Sequence, residues 1–148
     1  MSDFIEQKII NGVKKLLTGK FNELLREFDF QIPFVEFGIF RGVNVIAPLI
    51  SIFSCEQTEK ERIVKQDIYS VSVTFPVLET VESEMFCFAY AEAFNRALVD
   101  DVTLGGVVDL AVVTSKKYVP PKKAGCGMDW EVVITLRITV EEIGRAHV

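Results

Sequence analysis

Cys55, Cys87 and Cys126, together with His147, are the residues of this chain best suited to nucleophilic or zinc chemistry. A cysteine nucleophile needs a base within reach, and a structural zinc needs closely spaced ligand pairs. No CxxC pair occurs, and the one histidine stands close to the end of the sequence, so the thiols are expected to be packing or loop residues. Paired carboxylates for acid–base work are the next candidates. Glu82 and Glu84 fall in the first turn of a predicted helix, where the macrodipole favours acids, and Glu92 follows two turns later, so a solvated helix face explains them. Asp100 and Asp101 adjoin a turn but lack the regular series of oxygen ligands that a calcium loop supplies. Gly105 and Gly106 lack the Lys-Ser/Thr ending and the following helix of a phosphate-binding loop. No catalytic residue, cofactor site or metal site is assigned, and the chain is not expected to be an enzyme.

One cluster stands apart. Lys116, Lys117, Lys122 and Lys123, with Tyr118 and prolines between them, fall on or beside one predicted exposed loop of a chain whose net charge is -5. A solubilising loop tip accounts for such a run; its functional alternative is a contact surface for an acidic partner, or for DNA passing through a ring. The negative overall charge argues against general attraction to nucleic acid or to anionic lipid. The longest uncharged stretch, residues 42–55, is too short to cross a bilayer and contains Pro48, so no membrane span is expected. The start, Met-Ser-Asp-Phe-Ile-Glu, lacks the basic residues and apolar run of a signal peptide, which points to the cytoplasm.

The elements that must position these residues read as one α+β domain over 1–148, a length at which a single core suffices. Over 1–30 apolar residues recur at helical spacing, with Ile5, Ile9, Val13 and Leu17 on one stripe and Phe21, Leu24, Leu25 and Phe28 on the next. Ser2 or Asp3 is a candidate cap, and Thr18-Gly19 marks either a break or a weak point in one long helix. The stretch 31–48 is punctuated by Pro33, Gly38, Gly42 and Pro48 and reads as irregular. A sheet-and-helix core follows over 49–142, with a strand over 49–55, a polar hairpin turn over 56–62 and a second strand over 64–77. In the second, Tyr69, Val71, Val73, Phe75 and Val77 alternate with hydroxylated residues, so one face is apolar. A helix with Thr80 as a candidate cap runs to about residue 99, a strand covers 107–118, and a last one covers 128–142 with Trp130, Val132, Ile134, Leu136, Ile138 and Val140 on one face. The tail 143–148 has no pattern. The expected order is α-β-β-α-β-β, with four strands in one antiparallel sheet packed against helices. Twelve phenylalanines and a mean hydropathy of +0.29 suggest that some apolar surface meets another subunit, and unpaired sheet edges offer a further means of assembly.

Three segments in order carry a family resemblance: Val71-Ser72-Val73-Thr74-Phe75-Pro76-Val77, Glu92-Ala93-Phe94-Asn95-Arg96-Ala97-Leu98 and Asp101-Val102-Thr103-Leu104-Gly105-Gly106, followed by two closing strands. Over roughly half the chain, from about residue 67 to 142, this pattern resembles the tail-terminator and tail-completion proteins of tailed bacteriophages and prophages. The punctuated segment 34–48 is longer than the family pattern. The resemblance implies a non-catalytic virion protein that forms a homomeric ring, commonly hexameric, ends polymerisation of the tail tube and joins it to the head connector. Its implied partners are copies of itself, the tail tube and the connector, with DNA only passing through the channel. Its implied location is the host cytoplasm during assembly and then the virion tail. A small non-enzymatic ligand-binding or regulatory module is the alternative reading.

Overall fold

The computed structural model describes residues 4–38, 44–59, 65–122 and 129–141. Its first helical segment is continuous: α1 (Ile5–Leu16) passes through a π-helical turn (Leu17–Phe21) into α2 (Asn22–Leu25). The wide turn has a packing reason. In an uninterrupted helix the stripe of Phe21, Leu24 and Leu25 would lie roughly 100° around the axis from that of Ile9, Val13 and Leu16. A π turn accommodates one extra residue and turns the second stripe back onto the first. Both stripes are thereby buried in one core. The Thr18 hydroxyl donates to the Lys14 carbonyl, 3.0 Å away, beside the widened turn. Phe4 occupies the N-cap position without a side-chain cap bond, and the predicted caps Ser2 and Asp3 lie outside the described residues.

The main sheet has the order β3-β4-β6-β5 and is antiparallel throughout, with β3 Leu49–Glu59, β4 Lys65–Val77, β5 Leu110–Val119 and β6 Trp130–Glu141. Helix α3 (Ser83–Val99) lies between β4 and β5 in the chain. The four-stranded antiparallel sheet agrees with the sequence reading, but the element order does not. Two further strands, β1 (Phe34–Val35) and β2 (Val45–Ile46), pair in parallel within the stretch read as irregular. After the helical segment the order is therefore four strands, a helix and two strands. Strands of two residues are too short to show alternation, and β1 is held from outside the sequence window. The Asn22 amide donates to the Val35 carbonyl at 2.8 Å and its oxygen accepts the Val35 N–H at 2.9 Å, so one side chain stands in for a neighbouring strand.

Boundaries shift for identifiable reasons. The polar run Glu56 to Glu59 continues β3 instead of turning, because this end of the strand is exposed and needs no apolar residues; the connection 60–64 lies outside the described residues. Helix α3 begins at Ser83, since the Thr80 hydroxyl accepts the Glu82 N–H in a local turn and the Ser83 hydroxyl accepts the Thr80 N–H. The next strand begins at Leu110, after a series of turns in which Leu104, Gly105 and Gly106 all have positive φ. Gly105 and Gly106, at φ +71 and +90, adopt these angles without the strain a side chain would add.

Among the described residues, the helical segments cover one face of the sheet. Tyr69, Val71, Val73, Phe75 and Val77 of β4 and Val132, Ile134, Leu136, Ile138 and Val140 of β6 form its buried floor, as their alternation requires. Both helical segments pack onto this floor and meet in an aromatic cluster. Phe21 and Phe75 stack at 5.3 Å, Phe75 and Tyr90 at 5.4 Å, and Phe94 stands edge-on to Phe75 at 6.2 Å. Asn22→Ala is expected to destabilise the fold by about 1–3 kcal/mol, because Val35 is buried and its two backbone groups lose their partner. Urea denaturation of the purified variant measures this, and an unchanged midpoint would contradict the role assigned to Asn22.

Candidate functional site

The sequence-predicted basic cluster does not form a single loop. Lys116, Lys117 and Tyr118 belong to the edge strand β5, where they pair with Ile134, Val133 and Val132 of β6. Strand alternation therefore sends Lys116 and Tyr118 to the helix-covered side of the sheet and Lys117 to the open side. A run of charges beside prolines reads as a loop, but the edge position lets long polar side chains reach water from within a strand. Lys122 is exposed where the chain bends after β5, and Lys123 lies outside the described residues. The cluster is thus a basic rim along one edge of the sheet.

Tyr118 brings this rim to an apolar ridge. Its ring meets Phe88 of α3 edge to face, with centroids 5.4 Å apart. Met85 and Phe88 follow one another at helical spacing on α3, each at least half exposed, and exposed Val81 lies in the turn just before it, while the opposite side of α3 buries Tyr90, Ala93, Phe94 and Ala97. The alternation-based reading overlooks this ridge. Its signal is present in the spacing 85, 88, but a helix apolar on two sides invites assignment of only the stronger side to the core.

The residues weighed for catalysis have local explanations. Cys87 is buried in α3, and burial, followed by the nearby charge of Glu84, pushes its thiol up from 9.0 to about 11. Glu82, Glu84 and Glu92 are exposed. The Asp101 carboxylate accepts the Gly105 N–H at 2.9 Å, and Asp100 lies 4.0 Å from Lys20, so the first is engaged in turn geometry and the second faces a surface lysine. Among the described residues no three His, Cys, Asp or Glu side chains gather to hold a metal ion. No helix among them is long and apolar enough to cross a membrane. Tyr69 donates to the Glu6 carboxylate at 3.0 Å, and burial together with that bond holds its phenol above the ordinary range.

A cleft of about 1040 Å³ opens beside the helical segment. Phe28, Phe30 and Phe86 stack in a ladder along it, with centroid separations of 5.7 and 5.6 Å. The Arg26 guanidinium lies 5.2 Å from the centroid of Phe34, also at the cleft. Tyr90 donates its hydroxyl to the Pro33 carbonyl at 2.7 Å and so presents no unused donor to a ligand. Searches of protein-family models and of curated proteins return no match to this chain.

The buried thiol sets a pH dependence. Its folded-state pKa is raised, so its contribution to stability is complete below about pH 9 and is lost as pH climbs towards 11, where the unfolded chain ionises first. Urea midpoints are expected to fall between pH 9 and 11, and to fall less steeply in Cys87→Ala. The same slope in both proteins would contradict the assignment.

Proposed function

We propose that the chain is a structural subunit of a phage or prophage tail, a tail terminator that closes into a ring, caps the tail tube and joins it to the head connector. The observation that carries this reading is the exposed apolar pair Met85 and Phe88 on α3, which continues through the Phe88–Tyr118 contact onto an edge of the sheet. Large apolar side chains left in water beside an unpaired strand edge are what a subunit interface requires. The segments that carry the family resemblance support it in their placement. Val71 to Val77 forms the end of β4, Glu92 to Leu98 the last turns of α3, and Asp101 to Gly106 the turn that follows.

On this reading the protein works without catalysis or cofactor. Its partners are its own copies, the tail tube and the connector, and it acts in the host cytoplasm before residing in the virion. DNA meets it only in passage. A ring subunit needs a rigid core, flanks for its neighbours and two axial ends for unlike partners, and closure requires only that the rotation between copies return to its start. A small ligand-binding module is the second reading, favoured by the aromatic cleft, whose size suits a small apolar molecule.

Deleting the gene from the phage or prophage genome that carries it is expected to yield tails of abnormal length and heads that remain unjoined, with both defects repaired by the intact gene in trans. Electron micrographs of lysates measure this. Normal, joined tails in the deletion would overturn the proposal.

A further inference from the structure

The two edges of the sheet carry opposite charge. β5 forms one edge and carries Lys116 on the side of Met85, Phe88 and Tyr118 and Lys117 on the open side, with exposed Lys122 just beyond its end. β3 forms the other edge, and its exposed half carries Glu56 and Glu59 beside the exposed ring of Phe53. Glu6 adds a third acid on that side, where it accepts from Tyr69, the β4 residue opposite Cys55 of β3. Among the described residues, counter-charges stand on both flanks, Lys65 opposite Glu59 on one and Glu131 opposite Val119 on the other, with exposed Glu84 and Glu92 on α3, so the opposition of charge belongs to the edge strands themselves. Neither Lys116 nor Lys117 forms an ion pair with a described residue.

We infer that the surface covering the α3–β5 flank is the β3 flank of a second copy, in a head-to-tail contact. The inference rests on the ring reading above and names the interface that closes the ring. Charge disfavours the simplest alternative, a two-fold contact centred on Lys116 and Lys117 or on Glu56 and Glu59, which would set like charges together. Strand direction permits the contact. Neighbouring strands are antiparallel across all three pairings, so β3 and β5 are themselves antiparallel, and a copy rotated about an axis along the strands offers β3 antiparallel to β5.

A continuous hydrogen-bonded ladder is not what joins them. β3 is irregular between Ile52 and Ser54 and β5 between Val113 and Ser115, and such bulges interrupt an edge. Side chains therefore supply the contact. Each lysine has an acid on its own side of the sheet: Lys116 and Glu59 lie on the helix-covered side, Lys117 and Glu56 on the open side.

The test is charge exchange in the full chain. Lys116→Glu with Lys117→Glu makes both flanks acidic, and Glu56→Lys with Glu59→Lys makes both basic. Each double variant alone is expected to associate about tenfold more weakly than wild type, or less. An equimolar mixture is expected to recover wild-type assembly with the two variants alternating, as followed by light scattering. Circular dichroism confirms that each variant is folded. If wild type forms rings and both variants do so equally well, this interface is wrong and the ring reading stands. If both variants dissociate and the mixture does not recover, the interface is also wrong. A mixture that recovers as open filaments supports the interface and overturns the closed ring. Wild type that stays monomeric at every concentration overturns both.

Discussion

The stacked rings of Phe21, Phe75 and Tyr90, with Phe94 edge-on, are the contact on which the rest of the structure depends. The rings come from three parts of the fold: Phe21 from the π turn, Phe75 from the central strand β4, and Tyr90 and Phe94 from helix α3. All four are fully or almost fully buried, and aromatic pairs in such offset and edge arrangements hold both by burial and by ring electrostatics. The cluster also explains the widened helical turn, because Phe21 reaches it only after the register shift that the turn provides. The Tyr90 hydroxyl then bonds the Pro33 carbonyl and so ties the β1 segment to the same point. Asn22, one residue beyond Phe21, clamps Val35. Helices, sheet and the short parallel pair thus converge on one node.

Covering only one face of the sheet has consequences at its borders. The uncovered face carries Ser51, Ser72, Thr135 and Ser115 in one row across all four strands, a hydroxylated surface suited to water. Apolar side chains that the helices cannot reach collect instead along the flanks, at Phe53 on one side and at Met85, Phe88 and Tyr118 on the other. Charges of opposite sign accompany them. In the proposed head-to-tail assembly both sets would be buried together.

Much of this is legible in the sequence, and the gaps are physical. The floor of the sheet is readable from β4 and β6 because one-sided burial preserves a period of two, from Tyr69 to Val77 and from Trp130 to Val140. The uncertainty at Thr18-Gly19 is readable as well, but choosing a π turn over a break requires knowing that Phe21 must meet Phe75 and Tyr90. β1 and β2 are not readable, since a two-residue strand depends on Asn22 and on its partner rather than on its own pattern. The polar end of β3 resembles a turn because an exposed strand end is under no pressure to alternate. In the candidate surface, the lysines of β5 are visible as a cluster, yet their division between the two sides of a strand appears only with the register. The ridge on α3 is hidden by the stronger apolar face behind it.

The central claim is that copies of this chain associate head to tail into a closed ring. The mass of the purified wild-type protein, measured by multi-angle light scattering across a range of concentrations and joined to electron micrographs of any large species, tests it most directly. A closed ring gives a discrete species, of about six subunits on the family resemblance, with no continued growth at higher concentration. A protein that remains monomeric throughout, or that grows without limit into filaments, would contradict it.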